Sequence, residues 1–136
     1  MKRKLLLWYQ VAIGLSDTST GLLLIFAPAL TLHSMHLTVA PAALPFLSYV
    51  GVFVLSVGVA CSYGAYLATV SIFVEKLEVV WVLTGLTRAL VAIFVVARIH
   101  SGALESGWMT VAITDGAIAL LQAFGLWKGW LADGAA

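Results

Sequence analysis

The stretch VVWVLTGLTRALVAIFVVA, residues 79–97, decides the fold of this chain. Its only charged residue is Arg88, near the middle. A run of about 20 apolar residues is long enough to cross about 30 Å of hydrocarbon as a helix. Lipid cannot satisfy free backbone N–H and C=O groups, so such a run must be helical. The stretch therefore predicts a transmembrane helix with one buried charge.

Three further runs of similar length and hydropathy occur along the chain, at about residues 5–27, 46–68 and 108–127. Ala27-Pro28 ends the first, because proline stops a helix. The four runs predict an all-α integral membrane protein, a bundle of four transmembrane helices with short loops. Its 136 residues are expected to form a single domain, residues 1–136.

The composition agrees with a membrane location. The chain is 62% hydrophobic and 10% charged, whereas a soluble domain is about half apolar and about a quarter charged. A soluble domain of this size keeps much of its surface exposed and could not bury so many apolar side chains. We therefore expect the lipid bilayer to be the main partner.

Several classes of function lack support in the sequence. The net charge of +1 offers no basic face for nucleic acid. The single cysteine, Cys61, cannot form a thiol pair or a thiolate cage. No nucleophile elbow, HExxH motif or Gly-rich phosphate loop is present, so nothing indicates an enzyme, and we expect no cofactor.

Basic residues predict the orientation in the membrane, because cytoplasmic loops carry an excess of Lys and Arg. Four crossings place Arg98 alone on one side and five basic residues on the other: Lys2, Arg3, Lys4, Lys76 and Lys128. We expect both termini to be cytoplasmic (N-in/C-in) in the cell (inner) membrane. The basic start followed by Leu5 resembles a signal peptide, but Gln10 and Asp17 interrupt its apolar core, which favours a retained helix.

Three charges fall inside the predicted crossings at similar depth. At about 1.5 Å of rise per residue, Asp17, Arg88 and Asp115 all lie about 14–20 Å from the cytoplasmic boundary. Each charge costs about 2.5–3.5 kcal/mol at the centre of a crossing helix. Two carboxylates around one guanidinium recover much of this cost, since arginine offers a planar fork of donors. The sequence therefore predicts that these three side chains meet.

Other polar residues share the faces that carry these charges. Gln10 precedes Asp17 by two turns, Thr84 precedes Arg88 by one turn, and Gln122 follows Asp115 by two turns. We predict a substrate- or ion-binding site from Asp17, Arg88, Asp115, Gln10, Thr84 and Gln122. Its formal charge of −1 predicts a shared proton or a bound cation. The alternative is a cluster that only locks helix order and register.

A weaker alternative site uses the histidines. His33, His36 and His100 all lie on the predicted outer side, where they could bind a metal or sense pH. Histidine in a solvated loop is the commoner explanation, so no metal is predicted. The segment around His33 has enough apolar residues to form a short interfacial helix, and a plain loop is the alternative.

Small residues predict close helix packing. Gly51, Gly58 and Ala65 repeat along the second segment, and the fourth carries a similar stripe: Ala112, Gly116, Ala119 and Ala123. Such stripes let helix backbones approach closely. They predict either contacts inside the bundle or a homodimer, or a larger membrane complex, formed through the second and fourth helices.

Two classes of function remain after these exclusions. The first is a transporter- or channel-like protein whose Asp/Arg/Asp site handles a proton, a cation or a small polar substrate. The second is a structural or accessory subunit of a larger membrane complex, in which the same charges only lock the bundle. Short loops and the lack of a soluble domain are compatible with the second class.

Overall fold

The structure is a computed structural model that describes residues 3–70 and 74–133. Lys2, one of the basic residues used to predict orientation, lies outside these ranges. Every regular element within them is helical, which confirms the all-α prediction. The α-helices are α1 (Arg3–Phe26), α2 (Pro28–Ser34), α3 (Leu44–Thr69), α4 (Val74–His100), α5 (Met109–Trp127) and α6 (Trp130–Asp133).

Proline and glycine mark the helix ends. α1 ends at Phe26, and Pro28 opens α2, where its missing N–H costs no helical hydrogen bond. The segment around His33 is thus a short helix. Single 3₁₀ turns, Pro41–Ala43 and Ser106–Trp108, lead into α3 and α5. Gly129, after α5, has φ of 68°, a left-handed conformation that glycine adopts without strain.

Three helical segments of the described chain are long and apolar enough to cross a membrane: Pro41–Thr69, Glu75–His100 and Ser106–Trp127. α1 has comparable length at 24 residues. Gln10, Asp17 and a run of hydroxyl residues at positions 18–20 lower its hydropathy. The structure therefore supports a helical membrane protein with three candidate crossings, and α1 is less apolar than these three.

α1 and α3 form a tight antiparallel pair. A Cβ added to Gly21 would lie 2.5 Å from the Leu55 backbone nitrogen, and one added to Gly58 would lie 2.5 Å from that of Thr18. Gly51 packs in the same way beside Leu24, where an added Cβ would lie 2.8 Å from the Leu24 Cβ. Only glycine permits such close backbone contact.

α4 and α5 form a second antiparallel pair. A Cβ on Gly125 would lie 2.6 Å from the Trp81 ring, and a Cβ on Gly85 would lie 3.2 Å from Gln122 Oε1. The two pairs meet where Tyr9 of α1 packs on Trp81 with ring centroids 5.3 Å apart. Further along both helices, Arg88 of α4 donates to Asp17 of α1, so α1 and α4 run in the same direction.

The two ends of the bundle differ. At the end that holds Arg3, Thr69 and Leu131, here called the terminal end, the guanidinium Nε of Arg3 donates to Ala68 O at 3.1 Å. This end contains an apolar core: Leu6, Leu67, Ala68, Leu77, Val80, Trp81 and Leu131. At the opposite end, here called the loop end, Thr38 Oγ1 donates to Glu105 Oε1 at 2.8 Å and so joins the two helix pairs.

Large apolar side chains cover the outer surface of all four long helices. Leu15 and Phe26 of α1 are exposed in the same way as Phe46 of α3, Ile93 of α4 and Leu120 of α5. The interior, in contrast, contains polar groups. An apolar outer surface around a partly polar interior is the distribution that surrounding lipid would require.

Candidate functional site

Asp17, Arg88 and Asp115 meet in the interior, and together they are called the charged layer. Arg88 Nη1 donates to Asp115 Oδ1 at 2.5 Å, and Arg88 Nη2 donates to Asp17 Oδ2. The Arg88 side chain is 5% exposed, whereas those of Asp17 and Asp115 are 15% and 19% exposed. The structure thus brings together the three residues that the sequence predicts to meet because of their similar depth. Their role in binding stays a prediction.

Helix direction explains this meeting. α1 and α4 run from the terminal end toward the loop end, and α5 runs back. A residue 14 positions beyond Arg3 and one 14 positions beyond Val74 therefore reach similar depth. The guanidinium lies between its partners because α4 contacts α5 directly and faces α1 across the interior.

A second group of buried side chains lies two helical turns closer to the terminal end. Gln10, Trp81 and Gln122 are each seven residues, or about 10 Å of helix, from Asp17, Arg88 and Asp115 respectively. Their exposure is 0%, 0% and 1%. These three residues, here called the neutral layer, are among the largest fully buried side chains of the described chain. Sequence reasoning includes Gln10 and Gln122 in the site but not Trp81.

The two amide side chains of the neutral layer contact residues of α4 and α3. Gln122 Nε2 donates to Thr84 Oγ1 at 2.9 Å, and Thr84 Oγ1 donates to Val80 O at 2.7 Å. The Gln10 amide packs against Gly64 of α3, where any Cβ would collide with it. Thr84 thus lies between the two layers along α4 and contacts the neutral layer, as its predicted place on the polar face implies.

Several polar atoms in this region are buried and have no hydrogen-bond partner among residues 3–70 and 74–133. They are Tyr9 Oη, Gln10 Nε2, Gln10 Oε1, Trp81 Nε1, Arg88 Nε and Gln122 Oε1. Each such group costs about 1–3 kcal/mol when it stays unsatisfied. All six belong to the charged layer, the neutral layer or the adjacent Tyr9, so the cost is concentrated at one place.

α3 contributes more to this region than its lack of charge implies. Cys61 is 1% exposed and lies close enough to Arg88 and Asp17 for electrostatic interaction. Gly64, one turn further, makes room for the Gln10 amide. Sequence reasoning missed both residues, because a cysteine and a glycine among apolar residues give no polar signal. The only available sign was that Gly51, Gly58 and Ala65 mark this face of α3 for close packing.

The histidine alternative gains no support. His33, His36 and His100 are all exposed at the loop end. Within residues 3–70 and 74–133, no group of three His, Cys, Asp or Glu side chains could hold a metal ion. Glu105 accepts a hydrogen bond from Thr38 and so has a structural role.

The small-residue faces are used differently by the two helix pairs. Gly51 and Gly58 of α3 pack on α1, so this face is covered within the chain. Gly116, Ala119 and Ala123 of the α5 stripe line an open groove of about 450 Å³ between α4 and α5. A Cβ on Gly116 there would meet only Ala92, at 3.7 Å.

The charged layer can bind positive charge. Two carboxylates and one guanidinium sum to −1 when all are ionised, and the exposed fractions of Asp17 and Asp115 leave them some access. A surplus negative charge in a poorly solvated interior attracts a proton or a cation. The groups of the neutral layer can donate and accept hydrogen bonds without adding charge.

Comparisons of the chain with protein-family models, with curated proteins and with solved structures found no match in any of the three.

Proposed function

We propose that this chain is a small transporter- or channel-like membrane protein. Its charged layer binds a proton, a cation or the cationic group of a small polar substrate. One observation carries the proposal: Arg88 is shared by two carboxylates, Asp17 and Asp115, which leaves a surplus negative charge in the interior. Ionisable residues inside membrane segments commonly mark ion and proton pathways.

In this proposal α1 is the fourth crossing helix. Its 24 residues span about 36 Å at about 1.5 Å per residue, enough for the hydrocarbon core. It packs along α3 from Gly14 to Gly21 through contacts that a peripheral helix would not make. Its polar residues Gln10 and Asp17 face the interior, while Leu15 and Leu22 are exposed. Gln10 and Asp17 thus lower the hydropathy of α1 from its inner face, whereas Ser19 and Thr20 lower it from exposed positions.

The orientation that we propose has both termini in the cytoplasm of a cell with an inner membrane. Arg3, Lys4, Lys76 and Lys128 all belong to the terminal end, whereas Arg98 is at the loop end. The positive-inside tendency favours the terminal end as the cytoplasmic side.

A structural role is the second candidate. Both terminal nitrogens of Arg88 are occupied by carboxylates, and Gln122 is held by Thr84. A buried cluster of this kind can fix helix order without binding anything. In that case the chain would be an accessory subunit, and the open α4–α5 groove would be its contact with a partner helix or with a second copy.

Neutralising each carboxylate separately distinguishes the two candidates. Asp17→Asn and Asp115→Asn keep the side-chain shape and remove one negative charge each. The purified proteins are reconstituted in vesicles, and proton uptake and release after a pH jump are measured beside the melting temperature. A binding site predicts that each variant stays folded and loses the proton signal of the parent protein.

Glu78→Gln is the matched control, since Glu78 is an exposed carboxylate on α4. It should leave the proton signal of the charged layer unchanged. If Asp17→Asn and Asp115→Asn lower the melting temperature while proton uptake equals that of the parent, the cluster is structural and the transport proposal fails.

A further inference from the structure

Buried polarity is distributed unequally around the charged layer. Seven residues toward the terminal end stand Gln10 and Trp81; seven residues toward the loop end, on the same helices, stand Leu24 and Val95. All four side chains are buried. The interior is therefore polar on one side of the charges and apolar on the other.

We infer that the neutral layer binds water molecules that connect the charged layer with the terminal end of the bundle, so that Asp17 and Asp115 exchange protons with this side. The inference rests on the proposed function, since it names the route by which the charged layer would gain and lose a proton. It concerns the hydration of the interior, which can be measured without transport.

The chemistry of the unpartnered atoms fits water. Trp81 Nε1, Gln10 Nε2 and Arg88 Nε are donors, Gln10 Oε1 and Gln122 Oε1 are acceptors, and Tyr9 Oη is both. A buried water makes about three hydrogen bonds, and a chain of this length holds about one buried water per 27 residues. A few waters would therefore satisfy all six atoms. Five of these atoms belong to uncharged groups, and the charge of the Arg88 guanidinium is already matched by carboxylates, which favours a neutral occupant.

Such waters would pass a proton by relay. The water nearest the charged layer gives a proton to a carboxylate oxygen of Asp17 or Asp115 and takes one from the next water, so one proton moves and no bond between heavy atoms changes. Arg88 keeps its charge throughout, because a guanidinium is not deprotonated in proteins. Thr84, between the two layers on α4, is buried and polar as well.

An apolar seal closes the terminal end beyond the neutral layer. Leu6 precedes Gln10 by one turn, and Leu67, Leu77 and Leu131 complete the cluster around it. Toward the loop end the apolar interior begins directly beyond the charged layer, at Leu24 and Val95. We therefore expect water to reach the charged layer through the neutral layer and not past Leu24 and Val95.

The native cysteine can report this access. Cys61 lies on α3 between Gly58, which packs on Thr18, and Gly64, which packs on Gln10; it is thus between the two layers. Silver ion is similar to water in size, and it replaces the thiol proton to give a silver thiolate and H⁺. We would add silver nitrate to one side of oriented vesicles, quench it, and count the remaining thiols with a maleimide after denaturation.

The expected result is that silver reacts with Cys61 about tenfold faster from the terminal side than from the loop side, as a one-sided polar interior requires. Gln10→Met and Gln122→Met should slow the terminal-side reaction several-fold, because they remove the groups that hold water. Leu24→Met, the matched change on the apolar side, should leave the rate unchanged. Leu77→Ala, which thins the seal, should increase it.

Equal rates from both sides would overturn the inference, as would rates unaffected by Gln10→Met and Gln122→Met in variants whose melting temperatures match the parent. A slow reaction from either side, unchanged by Leu77→Ala, would mean a dry interior and would also overturn it. If the Asp17→Asn experiment contradicts the proposed function, the silver rates from the two sides can still differ. The two proposals can therefore fail separately.

Discussion

Gly58 of α3 packs so closely on Thr18 of α1 that a Cβ on Gly58 would lie 2.5 Å from the Thr18 backbone nitrogen. The contact lies one residue from Asp17, and it places α3 directly behind the charged layer. Close backbone contact of this kind replaces apolar burial as the source of helix association in lipid.

Gly58→Ala should therefore destabilise the protein. The added methyl group meets backbone atoms, which cannot move aside as a flexible side chain can, and we expect a loss of about 1–3 kcal/mol. Thermal unfolding in detergent, followed by tryptophan fluorescence, measures it. Gly116→Ala is the control, since its methyl group would only meet Ala92 at 3.7 Å. Equal melting temperatures for the two variants would contradict the packing of α1 on α3.

Arg88→Met should be more damaging than any single aspartate substitution. It leaves Asp17 and Asp115 without a counter-charge, and breaking a buried pair in this way costs about 3–5 kcal/mol. The triple variant Asp17→Asn, Arg88→Met, Asp115→Asn should recover most of the loss, because no charge remains unpaired. Chemical unfolding of the parent, the two single aspartate variants, Arg88→Met and the triple variant tests this. A triple variant no more stable than Arg88→Met would show that Arg88 acts through something other than its charge, and Arg98→Met, at an exposed position, is the control.

The hydrogen bond between Gln122 and Thr84 should be measurable by a double-mutant cycle. Interhelical hydrogen bonds in membrane proteins contribute about 0.6 kcal/mol on average and about 1.7 at most. Gln122→Met and Thr84→Val, alone and together, should give a coupling energy in this range between α4 and α5. A coupling of zero would mean that Gln122 has another partner of equal strength.

Labelling of single cysteines tests whether α1 crosses the membrane. In a Cys61→Ala background, Lys4→Cys lies at the start of α1, and Ser34→Cys lies at the end of α2, the short helix that follows α1. An impermeant maleimide should label Ser34→Cys in intact cells and Lys4→Cys only after lysis. If both positions are labelled from the same side, α1 does not cross the membrane and only the other three crossings remain. Ser101→Cys, at the loop end after α4, should react like Ser34→Cys and calibrates the outer side.

The depth of the charges and the polar face of each helix were predictable from the sequence, and the residues packed against those faces were not. The rise of a helix is constant, so the positions of Asp17, Arg88 and Asp115 within apolar runs were enough to predict that they meet. Which neighbours close the site depends on how the helix pairs pack. Cys61 and Gly64 therefore became visible only in the structure, although Gln10, Thr84 and Gln122 could be chosen from their spacing.

Trp81 shows the same limit. Its spacing in the sequence places it on the same helix face as Thr84 and Arg88, but nothing in its residue type shows that its indole N–H belongs to the site. Its burial follows from Gly125 on α5 and Tyr9 on α1, which lie beside its ring. The end of α5 was easier to predict, since it lies at Trp127 as in the predicted run, whereas α4 extends beyond the predicted run 79–97 at both ends, to Val74 and His100.

The pairing of α1 with α3, the next long helix in the sequence, has a consequence for biosynthesis. α1 and α3 can associate as soon as both have left the ribosome, but the counter-charge for Asp17 lies 71 residues later in the chain. During synthesis the first pair therefore carries an unmatched carboxylate until α4 arrives. A nascent chain stopped before α4 would hold Asp17 without Arg88. Quality-control proteases that recognise unpaired charge in the membrane would have a means to tell this fragment from the finished protein.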